Sequence, residues 1–370
     1  MAQNHSVSIP EHIKKLKGYV AGKTIAEVKE AYNPDIIAKL ASNENRLGFS
    51  SRVPAAVSIA LNTIQDYPDP LSQSLRKKLA DLNHVKEEEL LVAAGSESII
   101  SIICRTFFDD GDNAVTASAT FVGFFVQAGV MGNEVKRVPV TNEYKYDVGR
   151  ILEAIDDNTK MVYLANPNNP TGTYLNKSEF EKLVDGIPDH VLIIADEAYY
   201  EFTDGVDDYP SAIDYRRSNM VILRTFSKAY GLAGFRIGYA IADSSLVNEM
   251  IKTKLTFEPT TPAQAAALAA LDDSDFLQKS VQLVKNGREG LYKFFDDEKV
   301  CYAPSISNSV MMILDNEEKA ITFTQAMLEE GVILRRVHAF GLPNCVRITI
   351  GKDEEMEHFR RSFRKVKSTI

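Results

Sequence analysis

Cysteine and histidine are scarce in this sequence, and their spacing argues against two common kinds of site. The 370 residues include three cysteines, Cys104, Cys301 and Cys345, which are far apart and form no CxxC pair. An odd number of scattered thiols argues against a disulfide framework or a zinc site. The six histidines show no HxH or HExxH spacing, so we predict no catalytic metal.

Positive charge and long apolar runs are also scarce. Lys and Arg number 42 against 51 Asp and Glu, a formal net charge of −9, which argues against nucleic acid or an anionic membrane as the main partner. The N-terminal segment has no apolar signal core, and the apolar stretch 263–271 is too short for a membrane span. We therefore expect a cytoplasmic protein that binds neither nucleic acid nor membrane.

The middle of the chain alternates short apolar runs with helical patterns, which predicts an α/β fold. The runs are almost continuously apolar, as in strands buried on both faces of a mostly parallel sheet. They are residues 89–93, 113–116, 161–165, 191–195 and 220–224. The polar segments GSES, NPNNPTG, DEAY and TFSK follow four of these runs. Since ligands bind beyond the carboxyl ends of such strands, one pocket should collect all four.

The pattern changes after about residue 255. Helical stretches there precede the strand-like segments VMMIL and VRITI, which predicts a smaller α+β domain. The composition, 45% hydrophobic and 25% charged, is that of an ordinary globular protein. We predict a large domain over residues 48–255 and a small domain formed by residues 1–47 and 256–370, with an N-terminal arm.

Three residues that follow predicted strands are candidates for a reactive centre. The amine of Lys228, in TFSK, can bond covalently to an aldehyde, although most lysines of this kind are solvated. The carboxylate of Asp196 could pair with a protonated pyridine nitrogen, or it could cap a helix. Tyr199, three residues later, could donate a hydrogen bond to a ring oxygen.

Two further segments have the composition of loops that bind an anion or a ring. GSES begins a helix after a strand, where Ser96 and free backbone N–H groups could hold a phosphate or Ser96 could simply be an N-cap. NPNNPTG encodes a tight turn, from which Asn169 could point at a ring oxygen. Phe124, in the apolar segment ATFVGFF, is more typical of a core residue than of a stacking partner.

An arginine inside an apolar strand is the last candidate. Arg347 lies within VRITI, and Arg335 precedes it in LRRVHAFG. A buried guanidinium needs an anionic partner, which either a bound carboxylate or phosphate or a structural salt bridge could supply.

Taken together, these motifs resemble a known family. GSES, NPNNPTG, DEAYYEF and SKAYGLAGFRIG are similar, in order and spacing, to the motif series of fold-type-I aminotransferases that depend on pyridoxal phosphate. The segments KGYVAGK, LASNENRLG and YPDP narrow the resemblance to the histidinol-phosphate aminotransferase family. Arg46 departs from it, because relatives have Pro at this point of the loop expected to approach the substrate.

The resemblance implies a role for individual residues. Lys228 would be the Schiff-base lysine of pyridoxal 5′-phosphate, with Asp196 at the pyridinium nitrogen. The other implied cofactor contacts are Asn169 and Tyr199 at the phenolic oxygen, Ser96, Glu97, Ser227 and Arg236 at the phosphate, Phe124 stacked on the ring, and Tyr67 at the phosphate of the neighbouring subunit of a homodimer. The implied substrate-binding residues are Tyr19, Asn45, Arg335 and Arg347.

The implied reaction is transamination of L-histidinol phosphate with 2-oxoglutarate, a step of histidine biosynthesis. Arg347 and Arg335 could bind the phosphate of one substrate and the carboxylate of the other. An aromatic amino acid aminotransferase is the main alternative, and a threonine-phosphate decarboxylase fits less well. A cofactor-binding regulator without turnover is the alternative outside enzymes.

Overall fold

The structure is a computed structural model that describes residues 7–16 and 22–369. The strands are β1 (Ala38–Lys39), β2 (Leu90–Ala93), β3 (Asn113–Ala117), β4 (Glu134–Val138), β5 (Thr159–Ala165), β6 (Leu192–Asp196), β7 (Met220–Thr225), β8 (Gly238–Ala242), β9 (Cys301–Ala303), β10 (Ser309–Ile313), β11 (Val332–Ile333), β12 (Arg335–Arg336) and β13 (Cys345–Thr349). The α-helices are α1 (Glu11–Lys15), α2 (Ile25–Tyr32), α3 (Val53–Ala60), α4 (Gln73–Asn83), α5 (Ser96–Phe107), α6 (Val122–Met131), α7 (Val148–Glu153), α8 (Lys177–Gly186), α9 (Ser244–Thr253), α10 (Thr261–Leu271), α11 (Ser274–Glu298), α12 (Glu317–Glu329) and α13 (Asp353–Val366).

The central sheet has the strand order β2-β8-β7-β6-β5-β3-β4 within the described residues. Strand β8 pairs antiparallel with both of its neighbours, and the other pairs are parallel. The five predicted apolar runs coincide with β2, β3, β5, β6 and β7. The predicted α/β fold with a mostly parallel sheet is therefore confirmed. Strand β4 was not predicted, because its sequence EVKRV is mostly charged and only partly buried.

Burial on both faces explains why these strands are almost continuously apolar. Successive side chains of a strand point to opposite faces, and in β5 the residues Val162 and Leu164 join one core cluster while Met161 and Tyr163 join the other. Helix α5 packs on the second face through its isoleucines. The carboxyl ends of the parallel strands β5, β6 and β7 consequently share one edge, with α5 beside them.

A second, antiparallel sheet has the order β12-β13-β10-β9, and β1 pairs with β11 in a separate parallel ribbon. Helices α11, α12 and α13 cover these strands with a cluster of phenylalanines, Phe294, Phe295, Phe323, Phe359 and Phe363. Through β1, Ala38 and Leu40 join the same core cluster as Val310 and Val346, so this part of the N-terminal region packs with the C-terminal part of the chain. No helix among residues 7–16 and 22–369 is long and apolar enough to cross a membrane.

The packing of α10 bears on where the large domain ends. The buried residues Ala263, Ala266 and Ala267 join the core cluster of the central sheet, together with Val53 of α3. The division after residue 255, predicted from the sequence, would separate α10 from the core in which it packs. We propose a boundary after Leu271 instead, since α11 begins at Ser274.

Candidate active site

A cavity of about 290 Å³ opens at the carboxyl edge of β5, β6 and β7. Most of the residues that line it lie at the ends of these strands, follow them or begin α5, as expected for a parallel sheet. Those that were predicted from the sequence are Ser96, Glu97, Asn169, Asp196, Tyr199, Ser227, Lys228 and Arg236. Segments up to 140 residues apart in the chain are thus brought to one place, because their strands are neighbours in the sheet.

Asp196 is the last residue of β6 and is buried. Its carboxylate accepts hydrogen bonds from the Tyr163 hydroxyl (2.6 Å) and from the backbone N–H of Ala198 (3.1 Å). Burial raises the pKa of Asp196 to about 6, and both hydrogen bonds oppose that rise. No α-helix begins in the described stretch 197–211, so the helix-cap alternative is wrong. Asp196 is a buried carboxylate that faces the cavity.

Lys228 lies just after β7, half-buried at the cavity wall. Its Nζ lies 5.8 Å from the centre of the Tyr199 ring. Burial lowers the pKa of Lys228 to about 8, and the positive charges of Arg347 and Arg236 lower it further while Glu44 and Asp196 oppose them. An amine with this pKa is partly unprotonated near neutral pH, which is the form that attacks a carbonyl.

The N-terminus of α5 forms a candidate anion cradle at another part of the cavity wall. Gly95 has a φ of 92°, and a Cβ there would lie 3.0 Å from Nη2 of Arg236. A Cβ at Gly238 would lie 3.0 Å from the backbone N of Ser96. The two glycines therefore let the Arg236 guanidinium and the first backbone N–H groups of α5 stand side by side. Together they fit a phosphate group.

The antiparallel sheet contributes Arg347, which bonds to the cavity residue Asn169. Arg347, in β13, is buried and donates hydrogen bonds to Asn169 Oδ1 (2.5 Å) and to the carbonyl oxygen of Ala41 (2.7 Å). Arg335, in β12, lies opposite Arg347 in the strand register. The two guanidinium groups thus belong to adjacent strands at the same level. Tyr19, also predicted to bind substrate, lies outside the described residues.

The structure corrects the assignment of Phe124. Phe124 is fully buried in the core and stacks on Tyr163, with 4.4 Å between the ring centres and 9° between the ring planes. Phe121, which precedes α6, lines the cavity in its place. Phe124 lies inside α6, and its ring packs on Tyr163, the residue of β5 whose hydroxyl donates to Asp196. Phe121 is therefore the phenylalanine that lines the cavity.

The structure also corrects the assignment of Asn45. Its Nδ2 donates to the carbonyl oxygen of Ala229 and to Ser280 Oγ, both at 2.8 Å, and its Oδ1 accepts the N–H of Leu47. Because these polar atoms bind the protein itself, Asn45 ties its loop to the segment after β7 and to α11. The cavity is lined instead by Ser42 and Glu44.

Two other predicted residues lie away from the cavity. Tyr67 is 79% exposed and stacks on Phe257, with ring centres 4.2 Å apart. Arg46 does not approach the cavity, since its Nε and Nη2 bind Oε1 of Glu355 at 2.9 and 2.6 Å. The departure from the family at Arg46 therefore strengthens the contact between the loop and α13.

A larger cavity, of about 630 Å³, lies between α4 and α11 and is separate from this centre. It contains Arg224, whose guanidinium binds Glu197 at 2.9 and 2.8 Å and Asn83 at 2.8 Å. The charge of Arg224 is thus satisfied within the protein. We therefore place the candidate active site at Lys228.

Sequence reasoning missed several residues that complete the centre. Tyr163 binds Asp196, Asn43 donates to the Tyr199 hydroxyl at 2.8 Å, and Thr225 lines the cavity beside Ser227. Tyr163 lies inside an apolar strand, where the sequence pattern indicates core, whereas Thr225 is the first residue of the recognised segment TFSK. Asn43 lies in the recognised segment LASNENRLG, so this segment was the available signal.

Comparison with known proteins identifies the family. The profile of the family described as aminotransferase class I and II matches residues 35–363. The chain belongs to this family. It is an aminotransferase, and the predicted family resemblance is confirmed.

Individual relatives of this aminotransferase have one name in common. This chain is 40% identical over 353 residues to the histidinol-phosphate aminotransferase of Bacillus velezensis. The match covers 95% of this chain and 97% of that protein. The chain is 41% identical over 355 residues to the enzyme of the same name from Bacillus subtilis, with 94% and 97% covered. The crystal structure of histidinol-phosphate aminotransferase from Sinorhizobium meliloti in complex with pyridoxal-5′-phosphate has a TM-score of 0.91 at 25% identity and covers both chains completely.

Proposed function

We propose that this aminotransferase binds pyridoxal 5′-phosphate and transfers the amino group of L-histidinol phosphate to 2-oxoglutarate, in histidine biosynthesis. The residues around one cavity carry the proposal, and the names of the relatives support it. Lys228, Asp196 and the cradle of Arg236 and Ser96 surround a single cavity, and the relatives that cover the chain almost completely have this activity in their names.

The residues present fit the three groups of the cofactor. The phosphate fits the cradle, where a Cβ at Gly95 would press on Arg236. The pyridine nitrogen fits the Asp196 carboxylate, a buried anion whose hydrogen-bond donors hold it in place. The aldehyde fits the amine of Lys228. Phe121 and Ala198, which also line the cavity, suit the two faces of a flat ring.

When bound, pyridoxal phosphate supplies an aldehyde that takes up the substrate's amino group and a ring that withdraws electrons from it. Lys228, with its pKa lowered to about 8 by burial, can both accept and return a proton near neutral pH, as general base and acid. The carboxylate of Asp196 stabilises a proton on the ring nitrogen. Tyr199 stands beside Lys228 as a hydrogen-bond donor for the ring oxygen.

The paired arginines support histidinol phosphate as the amine donor. A phosphate dianion can engage both Arg347 and Arg335, whereas the carboxylate of glutamate needs only one guanidinium fork. One basic cluster could therefore serve both half-reactions. The alternative, an aromatic amino acid aminotransferase, would use the same cofactor residues but would not need Arg335.

We also propose a homodimer. Tyr67 and Phe257 form an exposed stacked pair, with Ile64 (55% exposed) and Leu255 (63% exposed) as further uncovered apolar side chains of the same two chain segments. Exposed apolar surface of this kind is typical of an interface. A dimer would cover it and allow Tyr67 to reach the phosphate cradle of the second subunit. Light scattering on the purified protein would test the assembly, and a monomer at micromolar concentration would contradict it.

A cytoplasmic location is part of the same proposal. Both substrates are charged small molecules, which do not cross a bilayer unaided. They would therefore meet the enzyme in the compartment where they are made.

A parallel half-reaction screen tests the proposed function. The cofactor-loaded protein is mixed with histidinol phosphate, glutamate, phenylalanine or tyrosine, and the visible absorption of the cofactor is followed. We expect histidinol phosphate and glutamate to convert it faster than either aromatic amino acid. Conversion by phenylalanine or tyrosine, with none by histidinol phosphate, would favour the aromatic aminotransferase. A protein that takes up the cofactor and reacts with no amine would indicate the regulator.

A further inference from the structure

Asn43 is anchored to the antiparallel sheet by its backbone and its side chain. It is buried, and its backbone N–H donates to Thr349 Oγ1 at 3.0 Å. The Thr349 hydroxyl donates back to Asn43 Oδ1 at 3.0 Å, and Asn308 Nδ2 donates to the Asn43 carbonyl oxygen at 2.9 Å. Thr349 is the last residue of β13 and Asn308 precedes β10. The position of Asn43 is therefore set by this sheet.

These bonds also determine which way the Asn43 amide points. The oxygen of Thr349 already accepts the backbone N–H of Asn43, so its hydroxyl proton is available for the side chain. A hydroxyl proton needs an acceptor, which places Oδ1 of Asn43 on that side and Nδ2 on the other. Nδ2 then donates to the Tyr199 hydroxyl oxygen at 2.8 Å. The amide orientation follows from the proton count around Thr349.

The orientation of the Asn43 amide determines the direction in which the Tyr199 hydroxyl can donate its proton. Burial raises the pKa of the Tyr199 phenol, so the hydroxyl keeps its proton. Because its oxygen accepts the N–H of Asn43, the Tyr199 proton cannot be donated toward Asn43. The Tyr199 side chain lines the cavity beside Lys228, and the cavity is the direction left for the proton.

We propose that Asn43 is a positioning residue that donates to the Tyr199 oxygen and thereby directs the phenolic proton into the cavity, toward the ring oxygen of the bound cofactor. The inference rests on the proposed function, since it names the ring oxygen as the acceptor. It also assigns a role to the antiparallel sheet. Thr349 and Asn308 hold Asn43, and through it they orient a donor at the end of the parallel sheet.

The reversal of this one hydrogen bond is the test. Asn43→Asp keeps an oxygen for the Thr349 hydroxyl but replaces the N–H donor by an acceptor, which would attract the Tyr199 proton away from the cavity. Asp also tolerates the φ of 56° at this position. The readout is the pH at which the visible absorption of the bound cofactor titrates. A donor at the ring oxygen stabilises the unprotonated form, so its loss raises this pH.

A double-variant cycle separates proton direction from added charge. The titration is measured for the parent, Asn43→Asp, Tyr199→Phe and the double variant. We expect Asn43→Asp and Tyr199→Phe each to raise the titration pH by about one unit, a tenfold change in proton affinity. In the Tyr199→Phe background, the shift caused by Asn43→Asp should fall to less than half, because the phenolic proton is gone.

Equal shifts in both backgrounds would overturn the proposal, because Asn43→Asp would then act through its charge alone. If that variant does not fold, Asn43→Gly keeps the positive φ and removes the amide. It should raise the titration pH in the parent and leave it unchanged in Tyr199→Phe, and an unchanged value in both would also overturn the role. A parent protein with no visible absorption after mixing with pyridoxal phosphate would instead contradict the proposed function itself.

Discussion

The two ends of the active-site cavity are built in different ways. At the end where we propose that the cofactor binds, the cofactor end, Asp196 is the last residue of β6, Lys228 follows β7 and Ser96 begins α5. All three therefore belong to the central sheet and a helix that packs on it. At the end where we propose that the substrate binds, the substrate end, Arg347 and Arg335 come from the antiparallel sheet. The first end is thus fixed by a single fold unit, whereas the second depends on how two sheets are placed relative to each other. Substitutions at the cofactor end should therefore affect every substrate equally, and those at the substrate end should affect different substrates to different extents.

Replacement of Lys228 should have the largest effect and should abolish transamination of all substrates alike. Lys228→Ala removes the only amine that lines the cavity among the described residues. We expect transamination to fall to background while the unfolding temperature stays close to that of the parent. Lys252→Ala, at an exposed lysine paired with Glu249, is the control and should keep full activity. Near-normal turnover of Lys228→Ala without an added amine would remove Lys228 from the mechanism.

The two phenylalanines near the cofactor end should separate stability from binding. Phe124→Ala empties a fully buried site that packs on Tyr163, and we expect it to lower the free energy of unfolding by about 3–5 kcal/mol. Phe121→Ala, at the cavity wall, should weaken cofactor binding with a smaller loss of stability. Denaturant unfolding and cofactor titration of both variants measure this. The opposite pattern would restore Phe124 as the stacking residue.

Replacement of the Asp196 carboxylate should slow the chemistry for every amine donor. Asp196→Asn keeps the shape but cannot supply the negative charge that stabilises a protonated ring nitrogen. We expect bound cofactor and a rate lower by ~10²-fold, or ~3 kcal/mol of barrier. Single-turnover rates with histidinol phosphate and with glutamate should fall by the same factor. A variant as fast as the parent, with cofactor bound, would limit Asp196 to a structural role.

A substitution at the substrate end should instead discriminate between donors. Arg335→Leu should lower kcat/KM for histidinol phosphate about tenfold relative to glutamate, since one charged hydrogen bond to the phosphate, worth ~1.5 kcal/mol, would be lost. The ratio of kcat/KM for the two donors in parent and variant is the measurement. If this ratio does not change, the phosphate does not bind Arg335, and the alternative of an aromatic amino acid aminotransferase gains support.

Arg46 should give the smallest effect, although it lies in the loop first expected to approach the substrate. Its guanidinium binds Glu355, and such partly exposed pairs contribute about 1 kcal/mol or less. Arg46→Leu should leave the ratio of kcat/KM for the two donors unchanged, alone or combined with Arg335→Leu. A larger selective loss in the double variant than in Arg335→Leu would mean that Arg46 turns toward the phosphate.

The same contrast explains how much the sequence could predict. The strand ends bearing Asp196 and Lys228 could be read from local patterns, because apolar runs followed by polar residues indicate buried strands and their carboxyl ends. The choice between Phe121 and Phe124 depends on where α6 begins. The choice between Asn45 and its neighbours depends on the course of an irregular loop, in which Asn43 has a φ of 56°. Both are decided by packing outside the segment concerned.

Arginines in apolar strands show the same limit. Arg347 and Arg224 both lie in strand-like apolar segments, VRITI and VILRT. Arg224 is bound by Glu197, a residue 27 positions away in the chain that lies beside it in the fold. Arg347 bonds to Asn169 at the cavity. The local sequence alone could not distinguish a structural ion pair from a residue of the active site, because each depends on a partner brought there by the fold.

Chemical trapping of the cofactor tests the central claim most directly. The protein is loaded with pyridoxal phosphate and reduced with borohydride, which fixes the cofactor on the amine that holds it, and the peptides are then analysed by mass spectrometry. We predict one modified lysine, Lys228, in the peptide that contains TFSKAYGLAGF, and no such peptide from Lys228→Ala. Stoichiometric modification of another lysine, with Lys228 unmodified, would contradict the proposed site.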